Sequence, residues 1–453
     1  MASRPNILLI MTDQQRADSL DDARAARQLP NLTALAARGV RFDNAYSAAT
    51  VCVPARSALL TGVLPHRLPV AENQLALRAG HFTVAHALAR AGYDTALFGK
   101  MHFWPMRADH GFRTSRLCEH LDAGYPPGEV DDYQAFLLAS GLGDQRTDHG
   151  PKVFPHPAEY HPTSWVTEQA LDFLKRRDPN RPFFAVVSYP HPHTPYDPPE
   201  PFASAFDPAH ETLPAPGLEV NADLPESFRR PIFDAPRPGA YPPQRVVDFP
   251  APHVRRVLAA IRALLAQIDH AIGRLLQHVD LATTVVCFTS DHGDYGGHRG
   301  LFGKVPWIPF DDLAKVPYFW FGAGVEGGRV VSAPVQSADF VLTSLELAGV
   351  AAIEAGFDTR SLAALLRGGP EQPERPVFCA TSQGWPMIRR GALKHIWHPG
   401  SDQHLLYDLA ADPGETQNLA LYPDAAFELA ETTELLGVTL ARPVSTLGSS
   451  SPS

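Results

Sequence analysis

Asn6-Ile7-Leu8-Leu9-Ile10-Met11 is an unbroken apolar run that stops at Thr12-Asp13-Gln14-Gln15. Such a run closed by polar residues is the pattern of a strand buried on both faces of a parallel sheet, its carboxyl end opening into a loop. The flanking sequence extends this pattern. Behind Asn31, a capping residue, Leu32, Leu35 and Ala36 recur at helical spacing, and Gly39 ends the repeat. A second helix is expected over 83–92 and a short strand over 94–98. Two further strands read at 183–189 and 283–289. Between those two, Val257, Ile261, Leu264, Leu265, Ile268, Ile272, Leu275 and Leu276 predict a long amphipathic helix over 254–279. Strands alternating with helices predict an α/β domain with a mostly parallel central sheet flanked by helices.

The segment 190–252 breaks this rhythm. It is crowded with proline, which denies a ladder its N–H donors, and is expected to be a surface excursion. After a helix over 337–347, short runs at 377–381, 387–389, 394–397 and 405–409 suit a smaller C-terminal antiparallel sheet, covered by a helix near 425–436. The division is placed at 1–360 for the α/β domain, 361–447 for the C-terminal α+β subdomain and 448–453 for a disordered tail.

Composition limits the role. The 453 residues carry 39 basic and 49 acidic side chains, a net charge of −10, which argues against a nucleic-acid partner. No apolar run reaches the roughly 18 residues of a membrane span. The N-terminus has no signal-peptide pattern. Cys52, Cys118, Cys287 and Cys379 are too scattered for a disulfide framework. A soluble cytoplasmic enzyme is the expectation.

The chemistry concentrates in Val51-Cys52-Val53-Pro54-Ala55-Arg56, followed by Ser57-Ala58-Leu59-Leu60-Thr61-Gly62. Arg56 lies one helical turn beyond Cys52, placed to hold an anion beside that side chain. The string resembles the signature of type I sulfatases of the alkaline-phosphatase-like superfamily, in which the cysteine becomes formylglycine (3-oxoalanine). The resemblance implies a sulfate monoester hydrolase. One hydroxyl of the aldehyde hydrate attacks sulfur and the other later expels sulfate, a two-step covalent route. It also implies a maturation enzyme that generates formylglycine, and a small-molecule sulfate ester as substrate. Whether the chain forms a homo-oligomer stays open.

Such a nucleophile needs a metal to acidify it. Asp13 and Asp291-His292 both follow strands, where open α/β sheets bind ligands. Asp13-Gln14 and Asp291-His292 resemble the choline-sulfatase and phosphonate monoester hydrolase branches of the family. Asp13, Asp291 and His292, with Gln14 as a fourth and position 52 alongside, are the implied metal ligands. Oxygen ligands favour Ca²⁺, and the histidine admits Mn²⁺.

Gly99-Lys100-Met101-His102 resembles the family's Gly-Lys-x-His element, which aims Lys100 and His102 at a sulfate oxygen. Asp109-His110-Gly111-Phe112 continues it. Pro190-His191-Pro192-His193-Thr194-Pro195-Tyr196 resembles the Pro-His-x-Pro-Tyr pattern, making His193 the leaving-group acid and His191 the alternative. Gly303-Lys304 supplies the lysine that steadies the departing oxygen. Asp412-Pro413-Gly414-Glu415 and Asn418-Leu419 resemble the closing turn, so matching blocks run from residue 6 to about 420.

Two stretches depart from the family. Trp307-Ile308-Pro309-Phe310-Asp311-Asp312 is longer and more acidic than usual, and Asp21–Arg27 replaces a short glycine-containing loop. Trp104, Trp307, Asp311 and Asp312 are the residues expected to form an aromatic and acidic box for a quaternary ammonium group. Two alternatives stand beside the sulfatase: a phosphonate monoester or phosphodiester hydrolase on the same metal site, and a silent anion-binding scaffold. The phosphonate relatives tend to replace the Lys and His that this chain keeps at Lys100 and His102.

Overall fold

The computed structural model describes residues 4–21, 24–68, 77, 81–119, 129–143, 150–214, 221–233, 244–351, 356–380 and 385–443. The tail expected at 448–453 lies outside them.

Strand Asn6–Asp13 sits in the middle of an eight-stranded sheet. It pairs in parallel with Phe183–Pro192 on one side and Thr284–Ser290 on the other. Outward from Phe183–Pro192 come Asp94–Gly99 and Thr114–Leu117; outward from Thr284–Ser290 come Tyr318–Gly322, Val40–Phe42 and Arg329–Val331. Of the pairings, those made by Tyr318–Gly322 are antiparallel.

The unbroken apolar run has a simple cause. Ile7, Leu9 and Met11 enter one core, with Leu59 and Leu60 of helix Cys52–Thr61, Leu88 of Val84–Arg90 and Phe340 of Phe340–Leu347. Leu8 and Ile10 enter the other, with Trp165 of helix Pro162–Arg176 and Leu265, Ile268 and Ile272 of Ala251–Leu276. Alternate side chains of one strand point to opposite faces, so a strand covered by helices on both sides has no polar face.

Two expectations need correction. Helix Pro30–Arg38 starts one residue before Asn31, and Asn31 is not its cap. Its Nδ2 donates to Asp269 of the long helix, 2.8 Å away, so the polar side chain joins two helices. The proline-rich excursion is also not all surface. It contains helix Glu226–Phe233, whose Phe228 and Ile232, one turn apart, are buried with Tyr295, Ile308 and Trp385.

The C-terminal sheet is antiparallel in sequence order, Val377–Cys379, Met387–Arg390, Leu393–His398 and Gln403–Asp408. Helix Ala426–Leu440 lies on one face through Leu436, which packs with Phe378 and Ile388. The other face, through Met387, Ile396, Leu405 and Tyr407, packs against Tyr46, Tyr295 and Phe310 of the larger unit. All four cysteines are buried.

Candidate active site

Thr12 and Ser290 are partners in the parallel ladder, so Asp13 and Asp291 leave adjacent strands at the same edge. Helix Cys52–Thr61 begins there, with Cys52 as its first residue after an extended Val51. Ligand atoms of Asp13, Cys52, Asp291 and His292 all lie within 4.8 Å of one another, and all four residues are buried. His292 Nε2 is 3.3 Å from Cys52 Sγ and 3.8 Å from Oδ1 of both Asp13 and Asp291. Its Nδ1 is 2.9 Å from the Gly293 carbonyl. A carbonyl only accepts, so the proton sits on Nδ1 and the Nε2 lone pair faces the carboxylates. Two carboxylates and an inward-facing imidazole nitrogen suit a hard or borderline divalent cation.

Cations crowd the same point. Lys304 Nζ is 2.9 Å from Cys52 Sγ and 3.3 Å from His292 Nε2. Lys100 Nζ is 2.5 Å from Asp13 Oδ2 and 3.9 Å from Cys52 Sγ. Gly99 makes this approach feasible. Its φ is +103°, and a Cβ there would stand 1.9 Å from the Ser188 carbonyl oxygen, so only glycine lets the chain turn Lys100 inward. Burial and Asp13 push the Cys52 thiol up, yet Lys100 and Lys304 together hold it well below the usual thiol range. The pocket at position 52 is therefore built to hold negative charge.

Arg56, expected to steady the Cys52 side chain, lies close enough for their charges to interact and also grips both carboxylates. Its Nε donates to Asp291 at 2.8 Å and one terminal nitrogen to Asp13 at 3.2 Å. The other donates to Ser188 Oγ at 2.9 Å and to the Lys100 carbonyl at 2.5 Å. With all three nitrogens engaged, Arg56 orients the two carboxylates. Gln14 is close by, its backbone N–H donating to Asp291 at 3.1 Å and its amide nitrogen to Asp294. That leaves its carbonyl oxygen as the end able to ligate.

The two histidines of the Pro-His-x-His segment part company. His193 lies close enough to Asp13, Lys100, Cys52 and Lys304 for their charges to act on it, and burial together with Lys304 pushes it down to about 3. Its backbone N–H donates to the Asp13 carbonyl at 3.1 Å. His191, the alternative acid, instead stacks on His161, 4.7 Å between ring centroids, and faces Asp197. His102 is buried after Lys100 at φ +63°, its N–H and that of Met101 held by the Glu119 carboxylate at 2.9–3.0 Å.

The expected cation box is also revised. Asp311 accepts from Lys394 Nζ at 2.7 Å and Tyr46 Oη at 2.9 Å. Asp312 takes Arg16 at 2.9 Å and His298 at 2.9 Å. Both carboxylates are spent on the protein's own cations. Trp104 is partly exposed, and Trp307 is half-buried with its carbonyl accepting from Thr50 Oγ1 at 2.8 Å.

Sequence reasoning missed Asp294, Ser188 and Glu119. Asp294 is buried, which raises it, and it accepts from Gln14, Gly296 and Gly303. The short spacing within Asp291-His292-Gly293-Asp294 was its available signal; Ser188 and Glu119 had none.

Residues 5–350 match the sulfatase family model. The chain belongs to the sulfatase family. This sulfatase is 31% identical over 452 residues to a choline-sulfatase of Rhizobium meliloti (strain 1021), covering 95% of this chain and 85% of that one. It is 30% identical over 451 residues to an arylsulfatase of Clostridium perfringens (strain 13 / Type A), covering 92% and 90%. Among solved structures it resembles the phosphonate monoester hydrolase of Agrobacterium radiobacter, with a TM-score of 0.79, 25% identity and 96% of each chain covered. The sulfatase is thus a sulfuric ester hydrolase on an alkaline-phosphatase-like fold. No helix among its described residues is long and apolar enough to cross a membrane.

Proposed function

We propose that this sulfatase hydrolyses a small sulfate monoester at the S–O bond, with Cys52 converted to formylglycine by a maturation enzyme. One observation carries the reading: position 52 stands at a helix start within 2.9–3.9 Å of Lys304, His292, Lys100 and Asp13. Asp13, Asp291 and His292, with the Gln14 carbonyl oxygen, would hold a divalent cation, Ca²⁺ before Mn²⁺. Bound there, the cation supplies Lewis-acid neutralisation of sulfuryl oxygens and a lower pKa for a coordinated hydroxyl. The aldehyde hydrate supplies two geminal oxygens, one to take up the SO₃ group and one to let it go.

The chain's own side chains do the rest. Arg56 keeps Asp13 and Asp291 in register. Lys100 and Lys304, with His102, take the charge of the sulfate oxygens. His193 rests neutral among these cations. An anionic ester seated between it and Lys304 offsets that field, so His193 holds a proton for the alcohol oxygen as it leaves. His193 Nδ1 is 2.9 Å from the Thr194 carbonyl, which leaves Nε2 to exchange the proton.

The choline-sulfatase relative raises a quaternary ammonium ester as one substrate class. With Asp311 and Asp312 paired internally, Trp104 and Trp307 are the parts of the box left to serve it. A second reading, phosphonate monoester hydrolysis, is favoured by the Agrobacterium structure. Mass spectrometry of the peptide spanning residues 42–56 tests the modification: an unmodified thiol in the fully active protein sinks the mechanism. A panel of sulfate, phosphate and phosphonate esters ranks the two activities, and higher kcat/KM on the phosphonates would put the second reading first.

A further inference from the structure

The turn that carries His193 leaves the sheet and returns to a second buried polar cluster. His191, near the end of strand Phe183–Pro192, places Nε2 3.6 Å from Asp197 Oδ1. His161, the cap of helix Pro162–Arg176, brings its Nε2 to 3.9 Å from the same oxygen. The three residues are 0%, 1% and 3% exposed for His161, His191 and Asp197. The two rings stack, and Phe154 closes the cluster with its ring 5.1 Å from His161. Asp197 Oδ1, His161 Nε2 and both His191 nitrogens have no hydrogen-bond partner among the described residues. Polar atoms left bare in a protein interior are costly, so their convergence needs a use.

The spacing would admit a cation. The tautomer argues otherwise. His161 Nδ1 accepts from the Thr163 amide at 3.3 Å, which puts the ring proton on Nε2 and makes that atom a donor facing Asp197, its backbone carbonyl as well as its carboxylate. Separations of 3.6 and 3.9 Å are longer than direct hydrogen bonds and are the length of water-bridged contacts. Asp197 is thus clasped between two imidazoles, one from each of two neighbouring elements. Backbone bonds secure the return of the turn, Lys152 N–H to the Tyr196 carbonyl at 3.0 Å and Phe154 N–H to the Pro198 carbonyl at 3.1 Å.

We propose that His161, His191 and Asp197 form a clasp that closes the His193 turn and sets the distance of His193 from Asp13 and Lys304. They are positioning residues, since they act on the reaction through His193 alone. The inference rests on the assignment of His193 as leaving-group acid.

The test is a series of aryl sulfates with leaving groups of graded pKa, turned over by the full-length, metal-loaded enzyme. His193→Ala should steepen the dependence of kcat on leaving-group pKa; if it does not, the acid assignment itself fails. Asp197→Asn should lower kcat about 10- to 100-fold on the least acidic leaving groups and least on the most activated ester, with KM little changed. The double variant should be no slower than His193→Ala. A uniform loss across the series, or additive losses in the double variant, overturns the clasp while leaving the acid assignment standing. Bound-metal stoichiometry should be the same in Asp197→Asn as in the wild type; loss of one equivalent would make the cluster a metal site and overturn the proposal. Should Asp197→Asn not fold, His191→Gln takes its place in every measurement, with the same results expected and the same results overturning the clasp.

Discussion

Two clusters of buried charge in this sulfatase follow opposite rules. At the sheet edge, Asp13 and Asp291 converge with Cys52 and His292 on one point, and Arg56, Lys100 and Lys304 crowd the same space. Beside the C-terminal sheet, each carboxylate instead has a lysine or arginine of the protein within 2.9 Å. Asp311 and Glu415 share Lys394, at 2.7 Å from each, and Asp312 has Arg16 and His298. Arg299 reaches Asp312 at 3.6 Å and Glu415 at 3.8 Å. The second cluster is a closed ionic latch that ties the segment after Lys304 to the small sheet. The first keeps several cations aimed at one anion-sized spot. Charges matched in pairs hold a shape, whereas charges that converge hold a ligand.

The sharpest way to break this contrast is at Cys52. Cys52→Ala should lower turnover at least about 1,000-fold with the thermal midpoint little changed, because the loss removes the nucleophile and not a support. Activity assays beside a melting curve check this, and near-normal turnover would end the catalytic reading of the convergent cluster. Next comes metal removal. Dialysis against a chelator should abolish turnover, and adding back Ca²⁺ or Mn²⁺ should restore it. The ion that restores it best names the resident metal, while undiminished turnover in metal-free protein would show that the converging carboxylates serve another purpose.

The latch should answer in stability instead. Lys394→Met removes the cation that Asp311 and Glu415 share and should cost about 3–5 kcal/mol, with turnover per folded molecule retained. Denaturant titration measures it. Asp312→Asn should cost about 2 kcal/mol at neutral pH. Burial pushes the Asp312 carboxyl up, but Arg16 and His298 hold it below the ordinary range. A depressed carboxylate contributes stability above its unfolded value of about 3.9 and loses it as pH falls through the folded value. The gap between wild type and variant should therefore be full at pH 7 and shrink below about pH 4; a gap that persists in acid would assign the effect to packing. The smallest effect belongs to Trp307→Ala. It should weaken a quaternary ammonium sulfate about 3- to 30-fold and spare an activated aryl sulfate, and equal losses on both would remove the cation–π contact.

Much of the site could be read from sequence because its parts sit at punctuation marks. Asp13 and Asp291 each follow an apolar run, Cys52 opens a helix, and Lys100 follows a glycine that turns the chain. Asp311 and Asp312 misled for a definite reason. Neighbouring acids in a loop look solvated, and the cations that neutralise them, Lys394 and Arg16, come from distant parts of the chain. His191 and His193 looked interchangeable because both lie in one short motif. The backbone past the strand end sends them to different surroundings, one to Asp197 and the other to Asp13. Arg56 takes Asp13, Asp291 and Ser188 as partners, which no local pattern specifies, since a guanidinium is satisfied by whichever acceptors the fold delivers.

Local pattern alone determined the α/β alternation, the central strand and the edge at which the chemistry gathers. Periodic burial is written residue by residue, and that is all those features require. Which cation meets which anion, and so whether a carboxylate binds a ligand or locks a loop, was decided only by the tertiary structure. Coulombic and hydrogen-bond partners act across a few ångströms of space, and folding brings that space together from residues as far apart as Cys52 and Lys304.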